Sequence, residues 1–503
     1  MQTQEWALGA EKAWFQWRPL DPDPALKQIR LLILPRGSFD DPIQCRLEHV
    51  SLNTCSTYEA LSYEWGPLPE TPDDEPIIHL DGCLKRVRKS LRDALLHIRL
   101  SDRDRYIWID ALCMNQSDED TVARAEKKRS IMMMGEIYRG ASKVVVWLGP
   151  ATPESDAAMA TLNWIQENHP AAEMRNVGFN FISPTLGGSS SYSGEQEVSD
   201  AELQTLATLC QRSYWTRMWM IQELHLAAAL EVYCGRSMTT GAAFHSTFEY
   251  LYHQANQQTS GNQDDTPTRL LRSIPFDFHF NYRQPGYKRD PRKLTFSFWI
   301  AMAIEKGFAC YKPHDVVYAL RGQSYRVADD EAVPDYKKSL EGVFIDALVA
   351  WGTGNLEAEY GSGKFVTRRE AVMLADRLLG DGGKGVWVER NGERFEELYN
   401  KAQEEWWQRR DQGKCKFINQ PLHDGLVGGQ EEAARKKSRM ETIARLRQER
   451  KLLQGQRSYL LDIPSYYLQQ MTELPPKISR MTGLPPNCLK MTKLPPKISK
   501  MTN

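Results

Sequence analysis

The spacing of hydrophobic residues changes along the chain, and the expected elements change with it. Ile29–Leu34 (IRLLIL) is a continuous apolar run and Ile43–Val50 (IQCRLEHV) alternates apolar with polar, so both predict strands. Tyr58–Gly66 (YEALSYEWG) predicts another strand, stopped by Gly66-Pro67, and Pro69–Pro76 reads as a polar, proline-rich loop. Leu91, Ala94, Leu95 and Ile98 recur at helical spacing within Ser90–Leu100. Tyr106–Ile109 is a short β-prone run ending at Asp110. Arg124–Tyr138 predicts a helix with Ile131, Met134 and Ile137 on one side, and Lys143–Leu148 (KVVVWL) predicts a buried strand. Strand, helix, strand, helix, strand in that order implies an α/β unit with parallel strands.

After Ala151 the pattern turns helical. Glu154–Glu167 and Ala201–Arg212 flank a Gly/Ser-rich insert, Ser183–Ser199, expected to be a loop. Met218–Ala229 predicts a helix leading into a strand at Leu230–Cys234, and residues 254–268 predict a second loop. Lys293–Lys306, Leu340–Trp351 and Glu396–Arg410 read as further helices, and Gly425–Gly429 breaks the chain. Glu431–Leu453 is highly charged, with Met440, Ile443, Leu446 and Leu453 as a thin apolar stripe. A solvated helix fits it best, with a partner, membrane-surface or nucleic-acid helix as the alternatives. The sequence then repeats every ten residues: MTELPPKISR, MTGLPPNCLK, MTKLPPKISK. A proline pair in each repeat excludes a helix or a central strand, so a disordered or polyproline-like tail is expected.

Composition changes this picture little. A chain of 503 residues has room for about two to four domains. Its 41% hydrophobic and 26% charged residues exclude wholesale disorder. No apolar run approaches the ~18 residues of a membrane span. Met1–Pro19 carries Trp6, Trp14 and Trp17 among charges and lacks the apolar core of a signal peptide, so a cytoplasmic location is expected. The 9 cysteines are scattered, form no CxxC pair and have no zinc-like spacing with histidine. Reduced thiols and no metal are expected. Charge adds more. The formal net charge of −1 hides 15 Lys+Arg against 6 Asp+Glu in residues 431–503, a basic segment behind an acidic body.

Three separated blocks carry a family resemblance. Tyr58–Gly66 resembles the "ALSYxWG" signature of the fungal heterokaryon-incompatibility (HET) domain. Arg105–Gln116 (RYIWIDALCMNQ) resembles its "WIDALCINQ", and Met134–Tyr138 with Ala141–Gly149 (ASKVVVWLG) is similar to the segment that follows. Tyr214–Leu226 (YWTRMWMIQELHL) is similar to its "Y..R.W..QE". Lys312–Leu320 (KPHDVVYAL) resembles a downstream "DPRDKVYALLG", although Arg321 and Cys310–Lys312 depart from it. The strong matches span about 58–226, the weaker ones reach about 350, and the last 150 residues are not covered. The organisation this implies is 1–57, N-terminal strands packing on the core; 58–235, a HET domain; 236–430, a mainly helical extension; and 431–503, a basic helix with a repeat tail.

The HET family is related to TIR domains, so the resemblance implies a TIR-like (flavodoxin-like) parallel-sheet core. It also implies a role in fungal non-self recognition and programmed cell death, with self-association through the HET domain and an unknown upstream partner. Nothing indicates nucleic acid. Several TIR domains cleave the nicotinamide–ribose bond of NAD with a glutamate in a "WCxxE" context. Trp219–Glu223 is similar to that pattern, with Met220 in place of the cysteine. This would make Glu223 the catalytic carboxylate and NAD a substrate, with no cofactor required. Nicotinamide is already a cationic leaving group, so one carboxylate stabilising the oxocarbenium ion would suffice. Ser62, Tyr63, Trp65, Asp110, Asn115, Gln116 and Arg217 would line the same site, because ligands of open α/β sheets sit beyond the carboxyl ends of the strands.

Plainer roles remain open for each residue. Glu223 pairs with Arg217, Asp110 caps a turn, Asn115 and Gln116 fix a loop, Trp65, Trp108, Trp147 and Trp219 pack, and Cys113 is a buried apolar residue. His225 falls on another helix face from Glu223. A non-catalytic signalling and oligomerisation module, or a diverged member without death activity, fits the same blocks. The absence of a phosphate loop or of GxGxxG between strand and helix argues against P-loop and Rossmann enzymes.

Overall fold

In a computed structural model of the chain, the described residues are 13–55, 57–117, 120–170, 197–257, 266–276, 278, 295–324, 327, 330–357, 365–380 and 387–411. They contain one mixed sheet of nine strands. The strands are β1 (Gln28–Leu34), β2 (Gln44–Ser51), β3 (Glu59–Tyr63), β4 (Ile77–Leu80), β5 (Cys83–Arg86), β6 (Arg105–Trp108), β7 (Lys143–Trp147), β8 (Leu230–Cys234) and β9 (Ser237–Thr240). Their order is β5-β4-β2-β1-β6-β3-β7-β8-β9.

The centre, β6-β3-β7-β8, is parallel, as the strand–helix alternation predicts. Val144, Val145 and Val146 are completely buried, because helices cover both faces of a parallel strand. The flanks of this parallel core bring in antiparallel pairs. β1 enters the sheet antiparallel to both β2 and β6, and each edge is a hairpin. Asp81-Gly82 joins β4 to β5 with φ of 52° and 77°, the positive pair that a tight type I′ turn requires. Gly235, with φ of 55°, opens the turn between β8 and β9.

Helices follow the apolar periodicity. α1 (Lys89–Ile98) buries Leu91, Ala94, Leu95 and Ile98. α2 (Asp110–Cys113) is a single turn after β6, and α3 (Thr121–Gly140) is capped by Asp120, which accepts from the Val122 N–H. α4 (Pro153–Asn168) and α5 (Asp200–Cys210) both begin with capping boxes. α6 (Met218–His225) is short and carries no side-chain cap, so tertiary contacts must hold it. Later helices include Phe296–Glu305, Leu340–Glu357 and Gly392–Asp411, close to the spans expected. One hydrophobic cluster runs through the described residues from Phe15 to Trp406. No helix among them is long and apolar enough to cross a membrane. Most of Ser183–Ser199, most of the 254–268 loop, Gly425–Gly429, Glu431–Leu453 and the decapeptide repeats lie outside the described residues.

Candidate functional site

The three sequence blocks meet at the carboxyl end of the parallel strands. Ser62 is the fourth residue of β3, Asp110 lies two residues past the end of β6, and α6 lays Glu223 across their ends. Ser62 Oγ donates a short hydrogen bond to Glu223 Oε2. Arg217 grips the same carboxylate with two nitrogens, Nη1 to Oε2 and Nη2 to Oε1, each at 3.2 Å. The Ser62 hydroxyl proton is used on Glu223, so Tyr214, whose hydroxyl lies 2.6 Å from Ser62 Oγ, must donate to it. The result is a chain of donors running Tyr214 to Ser62 to Glu223. Ser62, Tyr214 and Glu223 are all buried, while the Arg217 side chain retains 18% exposure.

Asp110 is the outer carboxylate and is partly exposed. Its Oδ1 accepts from the Ala111 N–H at 2.7 Å and its Oδ2 from the Trp65 indole at 2.8 Å. Burial, and then the Glu223 charge, push its pKa up to about 6 against the relief given by Trp65 and Arg217. Burial alone would weaken the protonated form of Arg217, yet Glu223 raises its pKa above the ordinary arginine value. Arg217 thus pairs with Glu223 and acts on Asp110 only through space, so the two carboxylates outnumber the guanidinium between them. That arrangement is suited to stabilising positive charge on a bound group.

The other expected site residues are placed as follows. Tyr63 is buried, and burial raises its pKa well above the ordinary value. Trp65 is half-buried, with the Arg88 guanidinium over its ring at 5.0 Å. Gln116 donates to the Asp110 carbonyl at 2.9 Å and Asn115 accepts from the Ser117 N–H at 3.1 Å. Both fix the loop after α2, and neither touches the carboxylates. Cys113 is buried, and burial pushes its pKa up to about 12, which keeps it an unreactive thiol. His225 packs edge-on against Trp299, away from Glu223.

Two parts of the site were not anticipated from sequence. Tyr214 lies inside the third block but was given no role. The second part lies farther along the chain, where α6 is held from behind. The Met218 N–H donates to the Ala309 carbonyl at 2.8 Å, and the Ala309 N–H donates to Thr216 at 2.6 Å. Asp315 is another buried carboxylate, accepting from the Tyr336 hydroxyl at 2.6 Å and from the Trp219 indole. Burial raises its pKa despite both bonds. Gly322 packs against Gly135 of α3 and Gln222 of α6. A Cβ at Gly322 would displace the Gln222 amide, and one at Gly135 would lie 2.8 Å from the Gly322 carbonyl oxygen, so the two backbones meet where neither carries a side chain. The segment from Ala309 to Gly322 thus sets the position of α6, which carries Glu223 and has Arg217 at its N-terminus.

Residues 58–223 match the family model described as Heterokaryon incompatibility protein (HET), a stretch that begins just before Ser62 and ends on Glu223. That stretch is similar to a HET domain, and the similarity extends to a curated fungal protein. Over 355 residues it is 25% identical to "Heterokaryon incompatibility protein 6, OR allele" of Neurospora crassa. The alignment covers 63% of this chain and 50% of that protein, so the chain spans about half the length of the curated relative it matches. No solved structure matches the chain.

Proposed function

We propose that the chain is a heterokaryon-incompatibility effector, acting in the cytoplasm in non-self recognition and the cell death that follows. Its chemistry in this reading is hydrolysis of the nicotinamide–ribose bond of NAD. One observation carries the chemical part: at the carboxyl end of the parallel strands Arg217 pairs with Glu223, while Asp110 has no ion pair among the described residues. Water would attack C1′ of the ribose, nicotinamide would leave with the bonding pair, and a proton would be released. Excess negative charge beside C1′ stabilises the oxocarbenium character of that transition state. The TIR-like part of the reading draws support from the order of the parallel strands. Numbered among themselves they run 2-1-3-4, the beginning of the flavodoxin-like order.

Glu223 is only 2% exposed, with both oxygens engaged. Catalysis therefore requires Arg217 or Ser62 to swing away, and self-association is the proposed trigger. The test is NAD consumption by the purified protein clustered at high concentration, beside Glu223→Gln. We expect turnover in the wild type and a loss of about 100-fold or more in the variant. Equal turnover in both, or none in either, sinks the catalytic assignment. The saturated carboxylate also favours a second reading, a non-catalytic signalling module. In that case overexpressed Glu223→Gln kills cells as the wild type does.

A further inference from the structure

A cleft of about 570 Å³ opens where β3 and β7 end, within the size range of small-molecule sites. From β3 the chain leaves towards the β4–β5 hairpin and β6 on one side, and from β7 it crosses to β8 on the other. This is a topological switch point, where connections leave neighbouring strands in opposite directions and open a crevice. Glu223 does not line the cleft. Trp65 does, and so does Glu64, a residue the motif reading passed over.

The walls combine three kinds of recognition. Trp65 supplies an aromatic surface with the Arg88 guanidinium stacked on it at 5.0 Å. The first turn of α1 faces the cleft through Lys89 and Ser90. That helix has no side-chain cap and no acidic residue in its first turn, so its amide groups and dipole favour an anion. Trp147 lines the same cleft while only 3% exposed, and its indole N–H finds no acceptor among the described residues. A buried donor of this kind calls for a partner. Carboxylates are present too. Asp93 is paired with Lys89, and Glu64 accepts from the Ser213 hydroxyl at 2.5 Å. Their charge disfavours a bare inorganic anion and suits a ligand that also carries hydroxyl donors.

We propose that this cleft binds a nucleoside phosphate. The base lies against Trp65, the ribose hydroxyls meet Glu64, and the phosphate sits at the start of α1 beside Arg88 and Lys89. Binding here does not depend on chemistry at Glu223. ADP is therefore the probe, because it has no nicotinamide bond and its binding is read without turnover.

The experiment is titration calorimetry on the full chain with ADP, adenosine and inorganic pyrophosphate. We expect saturable ADP binding at least about tenfold tighter than either fragment alone. Lys89→Glu reverses a charge on a side chain that is 79% exposed, so folding should be unaffected. It should weaken ADP about tenfold and leave adenosine unchanged. Ser213→Trp, at another exposed position, should fill the cleft and weaken both. Absence of saturable ADP binding at millimolar concentration overturns the proposal. So does pyrophosphate binding as tightly as ADP, or ADP affinity that neither variant changes.

Discussion

The two ends of the parallel sheet carry opposite electrostatic designs. At the amino end, Arg105 donates to Glu59 at 2.8 Å and to Glu231 at 2.7 Å, and Lys143 pairs with both carboxylates. Tyr233 donates to Glu231 at 2.6 Å. Two cations face two carboxylates. Burial would raise the pKa of Glu231, but hydrogen bonds from Lys143, Tyr233 and Arg105 hold it down at about 2. At the carboxyl end two carboxylates face one guanidinium, and Asp110 is pushed up to about 6. The amino end is arranged for stability. The carboxyl end keeps an unbalanced charge, as a site that must act on a ligand does.

The largest effect should come from breaking the balanced end. Arg105→Met leaves two half-buried carboxylates with Lys143 alone and should cost about 3–5 kcal/mol in urea unfolding. A loss under about 1 kcal/mol would mean the network is ornamental. The pH dependence separates the ends next. Glu231 is depressed from 4.5 to about 2, so its contribution is complete above pH 4.5 and is lost as pH falls towards 2. Asp110 is raised from 3.8 to about 6, so its penalty is absent below pH 3.8, grows between pH 3.8 and 6, and is constant above that. The stability of Asp110→Asn relative to wild type should therefore rise by on the order of 1–3 kcal/mol between pH 4 and pH 7. A gap that stays flat, or moves the other way, would contradict the strained reading of this end.

Smaller effects probe how α6 is held. Tyr336→Phe removes a donor to the buried Asp315 and should cost about 1–2 kcal/mol. If α6 depends on this clamp, hydrogen exchange should speed up at Met218–His225 as well as near Asp315. Tyr214→Phe removes only the outer link of the donor chain and should cost about 0.5–1.5 kcal/mol. A larger loss there would show that Ser62 depends on Tyr214 for its orientation.

Much of this architecture is legible in the sequence. The VVV run of β7, the alternation of β2 and the spacing of α1 are local patterns that survive folding, because one face or two must be buried. The edge hairpins that turn at Asp81-Gly82 and Gly235, and the short strands beside them, Ile77–Leu80 and Ser237–Thr240, were not anticipated. Four residues show too little alternation to stand out. The antiparallel entry of β1 left no local trace, since IRLLIL fits either direction.

The site divides in the same way. Ser62, Asp110, Arg217 and Glu223 could be named because each stands in a motif block. Whether Glu223 faces a ligand or an arginine is a different kind of fact. It depends on α6 being carried across the ends of β3 and β6, and that position is set by Ala309, Asp315 and Gly322, far along the chain. Asn115 and Gln116 share a block with Asp110, but one turn of helix directs them to backbone groups. The sequence by itself determined which elements form and which residue types gather at the strand ends, because hydrophobic period and turn chemistry act locally. Only the tertiary structure decided the charge balance at each end of the sheet, because pairing, burial and pKa depend on distances between residues up to 161 positions apart.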